Sequence, residues 1–368
     1  MNGREIDTAL PAGLLFFHAA DKVTAWHKAL NDPNNELFAW TYTDLVSLVG
    51  IPMWRELHLD AELIKYQRLV IHEGTGEIVA LAYCVPFFCP RLAAVLARSA
   101  APNNNNTPPP LDQLVSDWAT PALPDGGWGT LLFRGVMQAF ARQGKPPQAR
   151  HAPWTEEQAR ELAGVASLPD PPNALCGIFV AVKHEYRRQG VSEALLVNFK
   201  AIARQNRLAV TAVPVHLTKR RQYLDGSFDE YYRWSKGNPY RPEMSWLQGD
   251  RRRWENGEPM MPLDPWLRKH FELGAQLVKV APRTLDISLP AATWLPFMRE
   301  KYKNAGENSQ NTIFDENPDL WQEGTLVDGS KLDGVRPGPE FPVKLRWDAA
   351  RELLVYEDGD IWVLHSVY

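Results

Sequence analysis

The chain has 368 residues, 45% of them hydrophobic, and carries a formal net charge of −4 with a pI near 6.2. This balance excludes the basic excess of a general nucleic-acid-binding protein, and the length fits one large domain or two ordinary ones. No apolar run approaches the roughly 20 residues that span a bilayer, and the N-terminus lacks a signal-peptide core. The three cysteines cannot all pair and have no metal-ligand spacing. We therefore expect a cytoplasmic protein with reduced thiols, no metal, and neither nucleic acid nor a membrane as a partner.

The N-terminal part of the chain predicts helices followed by a β-hairpin. Apolar residues recur at helical spacing over residues 14–30, and a second helix is expected over 42–49. Residues 67–85 predict a hairpin around the turn Gly74-Thr75-Gly76. Further helices, separated by asparagine- and proline-rich loops such as 102–110, are predicted over 91–98, 130–142 and 155–165.

A strand, a basic turn and a helix follow one another in the middle of the chain. The apolar, β-branched run Ile178–Val182 is typical of a buried strand, and from Ser192 the apolar residues recur at helical spacing. The turn between them contains Arg187, Arg188 and Gly190. The first amides of a helix lack intrahelical partners, the helix dipole adds positive charge there, and a glycine lets an anion approach the backbone. The pattern therefore predicts a phosphate-binding site.

The turn resembles a known family. The hexapeptide Arg187-Arg188-Gln189-Gly190-Val191-Ser192 resembles the pyrophosphate loop of the GCN5-related N-acetyltransferases, the GNAT superfamily, whose pattern is Gln or Arg, two residues, Gly, one residue, then Gly or Ala. Ser192 departs from the last position. The resemblance implies the acyl-CoA N-acyltransferase fold, an α/β fold with a mixed central sheet flanked by helices, and acetyl-CoA or another acyl-CoA as cofactor. The residues that it implies for cofactor binding are Val180, Val182, Arg187, Arg188, Gln189, Gly190, Val191 and Ser192.

The remainder of the chain extends this pattern. Residues 208–215 predict a second buried strand parallel to the first, and a short helix is expected over 265–273. Between them, 216–262 is dense in arginine, proline and aromatic residues and is interpreted as an inserted lid. Strands are expected over 276–280 and 360–365. The DPWLRKHFELGA segment from Asp264 and the Trp-Val-Leu-His ending resemble a bacterial subgroup of uncharacterised GNAT-like proteins, which implies fold and cofactor but no substrate.

Three residues are candidates for the acid and base chemistry of acyl transfer. In the superfamily a tyrosine stands four residues before a glycine; here His270 stands four before Gly274, so the resemblance implies that it protonates the leaving thiolate. Histidine holds or gives a proton near neutral pH, although His270 could instead interact only with the helix dipole. Tyr223 is the competing acid. His216 is a candidate base, with an ordered water as the alternative.

These observations predict a single domain over residues 1–368, with N-terminal helices (1–66), a core with the cofactor site (67–215), the lid (216–262) and an extended C-terminal half (263–368). The predicted activity is transfer of an acyl group, expected to be acetyl, from a CoA thioester to an amine of a small molecule by direct attack. Two alternatives are a non-catalytic acyl-CoA-binding or sensing module and an acyltransferase that uses a carrier-protein thioester.

Overall fold

The computed structural model describes residues 10–30, 32, 35–37, 52–100, 108–146, 156–218, 228–236, 260–290, 293, 345–348, 351 and 353–367. The strands among these residues are β1 (Leu14–His18), β2 (Arg68–His72), β3 (Ile78–Phe87), β4 (Ala174–Val182), β5 (Val210–His216), β6 (Gln276–Leu289), β7 (Leu345–Asp348) and β8 (Leu353–Ser366). Within the described residues they form one eight-stranded sheet in the order β1-β2-β3-β4-β5-β8-β6, and β7 also pairs with β8.

Helices cover both faces of this sheet. They are α1 (Val23–Leu30), α2 (Glu56–Leu59), α3 (Pro90–Ser99), α4 (Leu111–Leu114), α5 (Thr120–Ala122), α6 (Gly127–Arg142), α7 (Glu156–Ala163), α8 (Val191–Gln205), α9 (Phe228–Tyr231) and α10 (Pro265–Glu272). In the part of the chain that the structure describes, no helix is both long and apolar enough to cross a bilayer.

The two faces of the sheet carry separate apolar cores. On one face α6 packs with Tyr83 of β3 and Trp362 of β8. On the other face Leu195 and Phe199 of α8 pack with Leu175 of β4. This arrangement confirms the predicted α/β class, with a mixed sheet flanked by helices.

The centre of the sheet contains its parallel pair, β4 and β5. Their register pairs join Ala174–Cys176 to Val210–Ala212, after which no pairing is recorded between the two strands. Each strand nevertheless keeps its outer partner, because β3 pairs with β4 as far as Val182 and β8 pairs with β5 as far as His216. The sheet therefore opens between β4 and β5 while both strands stay anchored on their outer edges.

The helix predicted over 14–30 is wrong for its first part. Residues 14–18 form β1, which pairs with β2 in antiparallel register, and the α-helix begins only at Val23. A short apolar run fits either structure, and here the free edge of β2 supplies hydrogen-bond partners that a helix would not use. The other predicted elements within the described residues are confirmed, namely the β2–β3 hairpin, α3, α6, α7, β4, α8, β5, α10, β6 and β8. The helix predicted over 42–49 and most of the loop over 102–110 lie outside the described residues.

The predicted lid is described only in part. Residues 228–236 pack into the protein interior, since Tyr231 and Trp234 are buried together with Val215 and Leu267. Residues 219–227 and 237–259 lie outside the described residues. The lid and the boundaries of the four regions stay predictions.

Gly135 lies inside α6, where the helix passes close to β3. A Cβ at this position would overlap the Val85 side chain and lie 2.7 Å from the carbonyl oxygen of Pro86. Gly135→Ala should therefore lower the free energy of unfolding by about 1–3 kcal/mol, although alanine is favoured over glycine in helices by about 1 kcal/mol. Equilibrium urea unfolding measures the change.

The control is Gly129→Ala in the same helix, because a Cβ there would come no closer than 4.0 Å to the backbone oxygen of Thr284. This variant should be neutral or slightly stabilising. Equal destabilisation of the two variants would contradict the close packing of α6 on β3.

Candidate active site

A cavity of about 250 Å³ occupies the opening between β4 and β5. Its walls come from both faces of the sheet. Leu196 and Phe199 of α8 line it on one face, and Trp128 of α6 lines it on the other. The cavity therefore passes through the sheet and is reached by groups on both sides.

The turn before α8 has the features predicted for an anion site, and it lies at this cavity. Gly190 is the N-cap of α8 with φ of 82°, and a Cβ added there would meet nothing within 4 Å. The first amides of α8 lack intrahelical partners and lie at the positive end of its dipole. Arg188 also has a positive φ, 62°, a strained conformation for a residue with a Cβ. The turn therefore combines open space at Gly190, the amides at the start of α8 and the positive charge of Arg187 and Arg188.

The structure brings the predicted cofactor residues together around this turn. Those that line the cavity are Val180, Val182, Arg187, Arg188 and Ser192, and Gln189, Gly190 and Val191 belong to the same turn and helix start. Arg187 Nε donates to the carbonyl oxygen of Val182 at 3.0 Å, and Gln189 Nε2 donates to that of Glu185 at 2.7 Å. Side chains thus fix the turn, and its role in cofactor binding stays a prediction.

A histidine–aspartate pair lies on the α6 face of the opening. His216 ends β5, Asp360 is its register partner on β8, and both residues line the cavity. The distance between His216 Nδ1 and Asp360 Oδ1 is 3.2 Å, and the side chains are 28% and 2% exposed, respectively. A buried carboxylate that accepts a hydrogen bond from Nδ1 fixes the orientation and the tautomer of the ring. The pair is therefore suited to general acid–base chemistry.

Asp360 was not among the predicted site residues. It lies 144 positions from His216 along the chain, and only the sheet register brings the two together. The available signal was an acidic residue at the start of the apolar alternating strand predicted over 360–365, because a buried carboxylate needs a partner.

His270 lies elsewhere. It is fully buried in α10, its Nδ1 lies 2.9 Å from His365 Nε2, and it is not among the described residues that line the cavity. Trp266, one helical turn earlier, lines the cavity and contacts the His270 ring edge-on, with the ring centroids 5.1 Å apart. Burial lowers the pKa of His270 to about 3. Its role as the acid stays a prediction, and Tyr223 lies outside the described residues.

The two buried histidines form a neutral pair. One ring nitrogen of the pair must donate the hydrogen bond and the other must accept it. Burial lowers the pKa of both rings. The nearby His270 and Lys200 lower the pKa of His365 further. The unfolded chain would take up protons near pH 6.5, the ordinary histidine pKa, while the folded protein would not. The stabilising contribution is therefore present above the unfolded pKa and is lost as the pH falls toward about 3.

This pair should make the protein acid-sensitive. Between about pH 7 and about pH 5, His270 alone should lower the free energy of unfolding by about 2 kcal/mol. Urea unfolding at several pH values measures the slope. Combining His270→Leu with His365→Leu should flatten that slope but leave the part that is due to His58. The pKa of His58 is lowered to about 4 by burial and by the nearby His27 and Arg55. An unchanged slope in the double variant would contradict the neutral pair.

Comparisons with known proteins extend the similarity beyond the turn. No family model matches the chain. The arginine N-acetyltransferase avaD of Aspergillus versicolor is 22% identical over 370 residues, which covers 99% of this chain and 98% of that protein. Among solved structures, the loading GNATL domain of CurA from Lyngbya majuscula is 13% identical, covering 73% of this chain and 87% of that one, with a TM-score of 0.35. The GphF GNAT-like decarboxylase in complex with isobutyryl-CoA is 13% identical, covering 96% and 99%, also with a TM-score of 0.35.

Proposed function

We propose that this chain, a GNAT-type acyltransferase, moves an acetyl group from acetyl-CoA to the amine of a small molecule by direct attack. The superfamily and the acyltransferase class, predicted from the turn before α8, are supported by similarity to a named N-acetyltransferase along nearly the whole chain. The observation that carries the proposal is the cavity through the sheet, with the arginine-containing turn and the His216–Asp360 pair both in its lining.

The donor fits the β4 side of this cavity. The pyrophosphate of CoA would lie on the amides at the start of α8, beside Arg187 and Arg188, where the missing Cβ of Gly190 leaves room. Beyond Cys176 the inner edge of β4 has no recorded pairing with β5, so its backbone groups are available to the amides of the pantetheine arm. Apolar side chains such as Phe199 line the same part of the cavity.

The His216–Asp360 pair supplies the proton chemistry. With Nδ1 held by the Asp360 carboxylate, His216 would accept a proton from the amine at Nε2 as the amine nitrogen bonds to the thioester carbon. The carbon–sulfur bond then breaks, and the imidazolium returns its proton to the departing thiolate. The proton that leaves the amine thus ends on the thiol, and His216 is regenerated. The buried carboxylate stabilises the intervening imidazolium.

The acceptor is proposed at the level of a small-molecule amine. The relative matched over nearly the full length is named for N-acetylation of arginine, which supports an amino group on a compact, soluble acceptor. The same name supports acetyl as the transferred group.

Substitution of Gly190 tests the donor site. Gly190→Glu would place a carboxylate in the proposed pyrophosphate site and should weaken CoA binding by at least about 100-fold, the effect of losing a few charge-assisted contacts. Isothermal titration calorimetry measures the affinity.

The matched control is Gly144→Glu, because Gly144 also has a positive φ, 65°, and open space at its Cβ, but lies at the end of α6. Gly144→Glu should introduce a backbone strain similar to that of Gly190→Glu and leave CoA affinity unchanged. If both variants bind CoA as the unmodified protein does, the turn is not the pyrophosphate site.

Substitution of His216 and of Asp360 tests the proton chemistry. His216→Gln keeps the approximate volume but cannot carry the proton, so it should lower kcat about 10²–10³-fold with little change in CoA affinity. Asp360→Asn should also lower kcat, because it removes the charge that stabilises the imidazolium. Release of free thiol from acetyl-CoA in the presence of an amine measures turnover.

His270→Gln is the comparison that separates the two candidate histidines. We expect it to lose stability and keep most of its turnover, since His270 is buried away from the cavity lining. A large loss of kcat in His270→Gln with normal turnover in His216→Gln would return the role of the acid to His270 and overturn our assignment.

A further inference from the structure

The face of the cavity that carries His216 and Asp360 also carries aromatic rings. Trp128 of α6 and Phe179 of β4 both line the cavity there. Trp54, which is not among the described residues that line the cavity, contacts both rings. Its ring centroid lies 6.0 Å from that of Trp128 and 5.7 Å from that of Phe179, at interplanar angles of 80° and 82°. The two lining rings therefore have one common support.

This support is itself held in place. Trp54 also contacts Tyr83 with ring centroids 4.8 Å apart, and the Tyr83 hydroxyl accepts a hydrogen bond from Trp26 Nε1 at 3.2 Å. Tyr83 and Trp26 are fully buried. Perpendicular aromatic packing of this kind orients the rings, so the parts of Phe179 and of Trp128, which is 5% exposed, that line the cavity are held in place before any ligand binds. A fixed wall loses little entropy when a ligand stacks on it.

We propose that this aromatic wall, formed by Trp128 and Phe179, binds the acceptor through a second group of that molecule, a planar cation such as a guanidinium. The inference rests on the proposed function, since it concerns the acceptor of the same reaction. It adds that the acceptor carries two separate groups, an amine that reacts at His216 and a cation that stacks on the wall.

The distribution of charge around the cavity supports a cation on this face. The faces of tryptophan and phenylalanine rings attract cations, and a guanidinium stacks flat on them. Asp360, with a side chain only 2% exposed, adds negative charge on the same side. Arg187 and Arg188 belong to the turn at the start of α8, which packs on the opposite face. The anionic donor and the cationic acceptor would thus be drawn to different faces of the sheet.

A panel of three amines with acetyl-CoA tests the inference. The amines are 4-aminobutylguanidine, hexylamine with an uncharged tail, and 2-phenylethylamine with an uncharged aromatic tail, and thiol release gives kcat/KM for each. We expect 4-aminobutylguanidine to exceed hexylamine about tenfold, the range of a desolvated cation–π contact. Equal values, or a preference for 2-phenylethylamine, would overturn the inference in favour of a wall that binds apolar groups.

Two pairs of variants locate the preference. Phe179→Leu nearly keeps the volume but removes the ring, so the ratio of kcat/KM between 4-aminobutylguanidine and hexylamine should fall severalfold, whereas Phe179→Tyr should retain it. Trp128→Leu and Trp128→Phe form a second pair with the same expectation, and thermal melting shows which variants fold. An unchanged ratio in the folded leucine variants would also overturn the inference. Thiol release with none of the amines, despite CoA binding, would overturn the proposed function and this inference together.

Discussion

Strands β4 and β5 each have an outer partner that follows them to their ends, yet they pair with each other at only three register positions. Beyond Cys176 and Ala212 the two inner edges carry backbone donors and acceptors that the described strands do not use. Such groups need partners when they are buried. In the proposed complex the amides of the pantetheine arm would supply them, so the interrupted ladder would be completed by the donor.

The opening is compatible with a stable fold because its two borders are anchored independently. β3 and β8 hold the outer edges, and separate apolar cores pack on the two faces around α6 and α8. Removing the central ladder therefore leaves most of the buried apolar contacts in place. The same arrangement gives the cavity lining two chemically different regions, one at the basic turn and one at the buried carboxylate of Asp360.

Local patterns predicted much of this fold, and non-local pairing explains what they missed. The turn at Gly190 was predictable because strand, basic turn and amphipathic helix are contiguous in sequence. β1 was mistaken for helix, because its identity depends on the edge of β2, 50 or more residues away. Asp360 was overlooked because only the register of β5 with β8 places it beside His216. The position of His270 on its helix was predicted correctly, whereas its contact with His365, 95 residues away, is not encoded by helix periodicity.

The place of β8 in the sheet has a consequence for how the protein folds. It lies between β5 and β6, although 144 residues separate His216 from its partner Asp360. Closing so long a loop is entropically costly before any contact across it forms, and such non-local pairing slows folding. The half of the sheet from β1 to β5 can assemble from nearer segments, whereas the proposed catalytic pair exists only after β8 has been inserted. Acquisition of the proton-transfer site should therefore be among the last events of folding, after the turn that would receive the phosphate has formed.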